Sequence, residues 1–363
     1  MDSIMRRYQE EEEEEESCLN AMLFSSSHVF PMVFRAAIEL DLFGIIAKSG
    51  PGGAHVSASE IASHLPTKNP DAPSMIDRML RLFASHSLLS SSLRTLHDGR
   101  VERLYGLTPA CKFFLGSKEE QGSLAPLSAL STHPATVQVW LHMKEAILEG
   151  GNMFKKVHGI SIFEYMKKDS EFNRIFNEAM AGLSTVIMNA ILETYKGFEG
   201  ITSLVDVGGG TGKVLHMIIS KYPSIKGINF DLPHVIESAP PILGIQHVGG
   251  DMLTGIPTGE AIMIKDTCHN WRDEIVIRVL KNIYKMLPGN GKVIIMNAVL
   301  PEAAERSKSS QYVSRLDNTM LMQPGGKERT AKEFEFLTQA AGFSNFRVAC
   351  VARGIWAVME SFK

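Results

Sequence analysis

Leu204-Val205-Asp206-Val207-Gly208-Gly209-Gly210-Thr211-Gly212-Lys213 is a short apolar run that breaks into four glycines. Such a run reads as a buried strand ending in a tight turn, where missing side chains let the backbone approach a ligand. Working outward, strands are predicted at Ser203–Val207, Gly227–Asp231, Ile245–Val248, Ala261–Lys265 and Lys292–Ala298. Two more lie near Arg347–Val351 and Ile355–Glu360, and helical segments separate them. Alternation of this kind predicts an α/β fold with a parallel sheet covered on both faces. The glycines then sit at the edge where such sheets bind ligands.

Two cofactor classes use this geometry. A dinucleotide fold needs GxGxxG, with a small third residue packing helix on strand. Here Lys213 occupies that third position, which disfavours a dehydrogenase. An acid followed by GxGxG is the commoner form in S-adenosylmethionine enzymes, and the later strand ends agree. Asp231 closes the second strand, placed to accept both ribose hydroxyls, although it also suits a helix cap before Pro233. After the third strand, Asp251 is placed to accept from an adenine amino group, and Met252 to lie on the ring face.

The fourth strand ends in Lys265-Asp266-Thr267-Cys268-His269-Asn270-Trp271. His269 therefore stands at the same edge, where the transferred methyl group would point. A histidine near neutral pKa can take the proton of a phenol, of pKa about 10, while the oxygen attacks. A base of this kind needs an acceptor on its other ring nitrogen, and Glu328 in Gly325-Gly326-Lys327-Glu328 is the candidate.

The 363 residues suffice for one large domain or two ordinary ones. At 44% apolar and 21% charged, the composition is that of a globular protein with a sizeable core. The net charge of −3 gives no basic field for nucleic acid. Cys18, Cys111, Cys268 and Cys350 have no metal-ligand spacing and read as reduced thiols of an intracellular protein. No signal sequence and no apolar stretch long enough for a bilayer are apparent, so the default address is the cytosol.

The Glu10–Glu16 block predicts a disordered acidic tail over residues 1–16. Residues 18–48 read as helix split by Pro31, with a break at Pro51-Gly52-Gly53. A capping box at Ser57 and Glu60, a helix over Met75–Leu88 and a strand at Arg100–Thr108 give the order of a winged helix. No basic cluster marks its second helix, which favours packing or dimerisation over DNA binding. Domains are thus expected at 17–115 and 116–363. Residues 110–200 look mostly helical. Phe163, Tyr165, Phe172, Phe176 and Met180 recur there at spacings that suit either a core or a pocket roof over an aromatic substrate.

Together these segments resemble the caffeic acid O-methyltransferase type of plant small-molecule methyltransferase. The carriers are Glu102-Arg103-Leu104-Tyr105-Gly106-Leu107, Glu149-Gly150-Gly151, the glycine loop, Asn229-Phe230-Asp231-Leu232-Pro233-His234-Val235, Gly249-Gly250-Asp251-Met252 and Pro324-Gly325-Gly326-Lys327-Glu328-Arg329-Thr330. The likeness runs from residue 18 to 363. It implies a Rossmann-like catalytic domain with a helical substrate cap, a homodimer built on the winged-helix region, and no metal. It also implies that a segment near Ser25–His28 reaches the partner's pocket. Cofactor contacts fall at Gly208, Asp231, Asp251, Met252 and Lys265. His269 matches the family's base and Glu328 one of two flanking acids. Phe172, Phe176 and Met180 match pocket positions, and Asp266, Asn270 and Met320 are assigned to the same pocket.

Departures from the pattern open alternatives. Asn297 stands at the second flanking acid, Asp266 where Trp is common, Asn270 where Asp is common and Met166 where His is frequent. Losing an acid should weaken His269 as a base. An aromatic amine needs little base assistance, so N-methylation of an anthranilate-like substrate stands beside O-methylation of a small phenolic or alkaloid-type compound. A family member that binds the cofactor without methylating is the third reading.

Overall fold

The computed structural model describes residues 2–49, 54–115 and 121–363. They form two compact units, residues 1–116 with 124–132, and residues 117–123 with 133–363. The stretch 124–132, expected with the catalytic domain, joins the first unit. Leu124 N–H donates to the Phe113 carbonyl (2.7 Å) and Arg35 to that of Thr132 (2.7 Å).

The expected disordered tail is instead helical, in Asp2–Ser25. Glutamate is a good helix former, and no Gly or Pro interrupts the run. The helical break comes at Ser26–His28, not at Pro31. Pro31 lies in the first turn of helix Val29–Glu39, where a missing N–H costs nothing. The break expected at 51–53 lies outside the described residues.

The rest of this unit has the expected helix, helix, hairpin order. Strand β1 (Val56–Ser57) leads into helix Ala58–Ser63, capped reciprocally by Ser57 and Glu60 as predicted. Helix Ala72–Ser85 then precedes β2 (Leu89–Thr95) and β3 (Val101–Leu107), in sheet order β1-β3-β2.

The second unit carries β4 (Ser203–Val207), β5 (Lys226–Asp231), β6 (Ile245–Gly249), β7 (Ala261–Lys265), β8 (Lys292–Leu300), the two-residue β9 (Arg329–Thr330), β10 (Ser344–Ala352) and β11 (Trp356–Phe362). Their order is β10-β11-β8-β7-β4-β5-β6, with β9 beside β8. Strands β4 to β8 pair in parallel, and β10 and β11 are antiparallel. Strand order reverses between β4 and β7, so a crevice opens at their carboxyl ends. Alternate residues of each strand feed two cores. Leu204, Met263 and Met296 join one, and Val205, Ile264 and Ile295 the other.

Contrary to the expectation that no stretch is long and apolar enough for a bilayer, helix Ser170–Thr194 matches a membrane span by length and composition. Its Ile187, Met188 and Ile191 are fully buried in the sheet's core. It reads as the core helix of this unit.

Candidate active site

The glycine loop takes its shape from three left-handed residues, Gly208, Gly210 and Gly212. Gly209 answers to space: a Cβ there would collide with Asn229 Oδ1 and lie 2.7 Å from Asp206 Oδ2. Gly210 N–H donates to Asp231 Oδ2 (2.9 Å) and Leu232 N–H to Asp231 Oδ1 (2.7 Å). Each carboxylate oxygen retains a lone pair for a further donor. Asn229, fully buried, donates to the Gly210 carbonyl (2.9 Å), holding the turn from below. Asp206 is buried beside it, and desolvation, opposed by Lys265, pushes its carboxyl up to about 7.

Asp251 is exposed after β6, its Oδ1 accepting from Leu253 N–H (2.8 Å). Met252 packs partly buried against the second core, and its carbonyl is held by Asn282 (2.9 Å). At the end of β7, Lys265 is buried, donating to Ser184 Oγ (3.1 Å) and paired with Asp266. Phe172, Phe176, Met180 and Ser184 are spaced by four along one helix and share a face. Phe172 is fully buried among the rings of Phe154, Tyr165 and His133. Phe176 and Met180 are half-buried, on the stripe that runs toward Lys265.

After β7 the chain makes one 3-10 turn, Cys268–Asn270, with Asn270 half-buried at its end. His269 Nδ1 is 2.6 Å from Glu328 Oε1. Burial opposes charge on the imidazole, but the Glu328 bond and charge, with help from Asp266, hold its pKa above the usual value. Glu328 Oε2 accepts from Asn297 Nδ2 (2.8 Å), and Glu328 N–H donates to Asp317 (2.8 Å). Asn297 thus reaches His269 through Glu328. Asp266 does not substitute for the missing acid by contact: its carboxylate is bonded to Lys265.

The His269 turn is clamped by a segment whose role sequence reasoning missed. Lys327 N–H donates to the His269 carbonyl (2.9 Å), and a Cβ on Gly326 would run into that same oxygen. Gly325 and Gly326 N–H both donate to the Met320 carbonyl (2.9 and 3.0 Å), which ties that half-buried pocket position to the clamp. Arg329, fully buried, donates to the carbonyls of Cys268 (2.9 Å) and Trp271 (2.7 Å) and pairs with Asp273. A buried arginine is costly unless every donor is used, so its place beside Glu328 was the one available signal. Ser184 was missed as well, because its partner Lys265 lies on a distant element. Asn152, after the Gly150-Gly151 turn, was missed likewise. It donates to the carbonyls of Gln323 (3.1 Å) and Pro324 (2.7 Å).

The crevice therefore presents a glycine cradle, two acids on neighbouring strand ends, and an oriented histidine. An adenosyl group with a charged sulfur fits this set: space is open above Gly210, and Asp231 and Asp251 keep acceptor capacity.

Comparisons with known proteins agree. A model of the O-methyltransferase dimerisation domain matches residues 22–117, and one of the O-methyltransferase domain matches 140–344. The chain is 56% identical to a caffeic acid 3-O-methyltransferase of Prunus dulcis, over 94% of this chain and 93% of that one. It is 54% identical to O-methyltransferase 13 of Lophophora williamsii, over 96% and 95%. In fold it resembles human N-acetylserotonin methyltransferase in complex with SAM (TM-score 0.80, 20% identity, 96% and 97% covered). A methyltransferase of calicheamicin biosynthesis, CalO1, solved with SAH bound, is similar to the same degree (TM-score 0.81, 22% identity, 96% and 98% covered). With the glycine cradle and the histidine–glutamate pair on one sheet edge, and two family models spanning most of the sequence, the chain belongs to the O-methyltransferase family.

Proposed function

We propose that this enzyme methylates a hydroxyl of a small phenolic compound, with His269 as general base. The observation that carries this is the His269–Glu328 pair at the carboxyl end of β7, beside the glycine cradle. S-adenosylmethionine, the cofactor, supplies an electrophilic methyl group on a sulfonium. Gly208, Asp231, Asp251, Met252 and Lys265 are the residues to hold it. The Glu328 carboxylate accepts from Nδ1–H, which leaves Nε2 as the lone-pair nitrogen for the phenol proton. As that proton arrives, the imidazolium is stabilised by Glu328 in a buried site where charge counts for more. Asn297 donates to the other Glu328 oxygen and so supports the carboxylate without taking a proton itself. Phe176, Met180, Met320, Asn270 and Asp266 are the pocket residues, aligning oxygen and methyl.

The nitrogen and non-methylating readings lose their motive here. Asn297 keeps a bond to Glu328, and the histidine–glutamate pair is intact. The relatives named above are O-methyltransferases. Homodimer formation through residues 22–117 belongs to the same proposal, supported by the dimerisation-domain match. A cytosolic address is also part of it.

The test is incubation with methyl-labelled cofactor and a mixed panel of phenols and aryl amines. Label on oxygen is expected; label only on nitrogen contradicts the proposal.

A further inference from the structure

Asp266 occupies a position where the family resemblance leads one to expect tryptophan, so its chemistry belongs to this chain. It has left-handed φ (+46°), a conformation that aspartate adopts more readily than most side chains. Its N–H donates to the Met296 carbonyl (2.9 Å), which fixes it against β8 next to Asn297. One carboxylate oxygen is bonded to Lys265, while the other, Oδ1, is buried with no hydrogen-bond partner. A buried acceptor left open in this way costs about 1–3 kcal/mol. Fully buried Asn297, the residue after Met296, likewise has an Oδ1 with no partner.

The charges around this spot are unequal. Asp266 bears on His269, Glu328 and Tyr312, raising the pKa of each, although desolvation is the largest influence on all three. Asp317 bonds the backbone of Glu328. Asp266 and Asp317 both act on Glu328, and the cationic Lys265 is already committed to Asp266 and Ser184. Arg329 cannot redress the balance, since its guanidinium is spent on Asp273 and two carbonyls behind the His269 turn. Carboxylates at this spot disfavour an anionic acceptor, and a donor that reached Asp266 would satisfy its unpartnered Oδ1.

We infer that Asp266 makes the acceptor pocket selective for phenols carrying a protonated amine, or another strong hydrogen-bond donor, over phenols carrying a carboxylate. This rests on the O-methylation reading above and adds the substrate class to it. The same open oxygen could meet the ammonium of the cofactor's amino-acid portion, so the test separates the two sources.

Three matched catechols serve as probes: 2-(3,4-dihydroxyphenyl)ethylamine, 3,4-dihydroxyphenylacetic acid and neutral 4-methylcatechol. Their binding to the enzyme loaded with S-adenosylhomocysteine is measured by calorimetry, and kcat/KM is measured with S-adenosylmethionine. The amine is expected to bind at least about tenfold more tightly than the acid, a difference of about 1.4 kcal/mol. Asp266→Asn and Asp266→Ser should bring the two within about threefold, with the neutral catechol as the internal reference. Equal binding, or preference for the acid, in the unmodified enzyme overturns the inference whatever the variants do. So does an unchanged ratio in the variants accompanied by weakened S-adenosylhomocysteine binding, which assigns the oxygen to the cofactor. Transfer to the phenols with the order reversed removes the inference and leaves O-methylation standing. Transfer to none of the three removes both.

Discussion

His269 Nδ1 and Glu328 Oε1 lie 2.6 Å apart across two segments 59 residues apart in sequence. The pair fixes which ring nitrogen is free to receive a proton, and it raises the imidazole pKa despite burial. His269 works in its neutral form, so activity rises as pH climbs through that pKa.

Glu328→Gln keeps the shape and removes the charge. The histidine pKa then falls, because burial acts without its counterweight. The acid limb of the pH–kcat profile is expected to move to lower pH, and kcat to fall by roughly 10²-fold at its plateau. A profile that stays in place contradicts the role given to Glu328.

Asn297→Ala leaves Glu328 Oε2 without its donor in a fully buried position. A loss of about 1–3 kcal/mol in stability is expected. Since Asn297 acts through Glu328, kcat should drop by about tenfold while the KM for the phenol changes little. Denaturant unfolding and steady-state kinetics read the two effects separately.

Gly209→Ala places a methyl group against Asn229 and Asp206 under the cradle. Calorimetric binding of S-adenosylhomocysteine should weaken by about 10²-fold or more, in line with a misplaced backbone contact. Wild-type affinity in this variant would remove the loop from the cofactor site.

Asp206 gives a stability prediction with a definite sign. Its folded pKa is about 7, raised by burial above the unfolded value. Its contribution is fully present below the unfolded pKa near 4 and is lost as pH rises toward 7. Asp206→Asn, neutral at every pH, should therefore raise the Tm of the cofactor-free protein at pH 8 by roughly 5 °C and lose that advantage near pH 4.5. Thermal unfolding at the two pH values checks this.

The parallel sheet was legible because apolar β7 (Ala-Ile-Met-Ile-Lys) and its companions are buried on both faces and carry no competing period. The site residues were legible as strand ends: Asp231 closes β5, Asp251 lies two residues beyond β6, and His269 lies in the turn four residues beyond β7. What the sequence did not disclose depends on contacts between distant segments. That Asn297 bonds Glu328, that Asp266 pairs with Lys265, and that Arg329 clamps the His269 turn are facts of packing. The acidic N-terminus misled for a different reason. Charge repulsion argued for disorder, while the helix propensity of glutamate and the absence of breakers argued for helix. Phe172 and Phe176 fit core and pocket equally by spacing, and only burial separates them.

The central claim is that His269 removes the phenol proton while methyl passes to oxygen. Single-turnover methyl transfer to a catechol, measured in parallel for the unmodified enzyme and His269→Gln, tests it most directly. Calorimetry with S-adenosylhomocysteine confirms that the cofactor site survives. The account predicts a rate reduced by roughly 10²- to 10⁴-fold with cofactor affinity retained. An unchanged rate in His269→Gln, with label on oxygen, would contradict it.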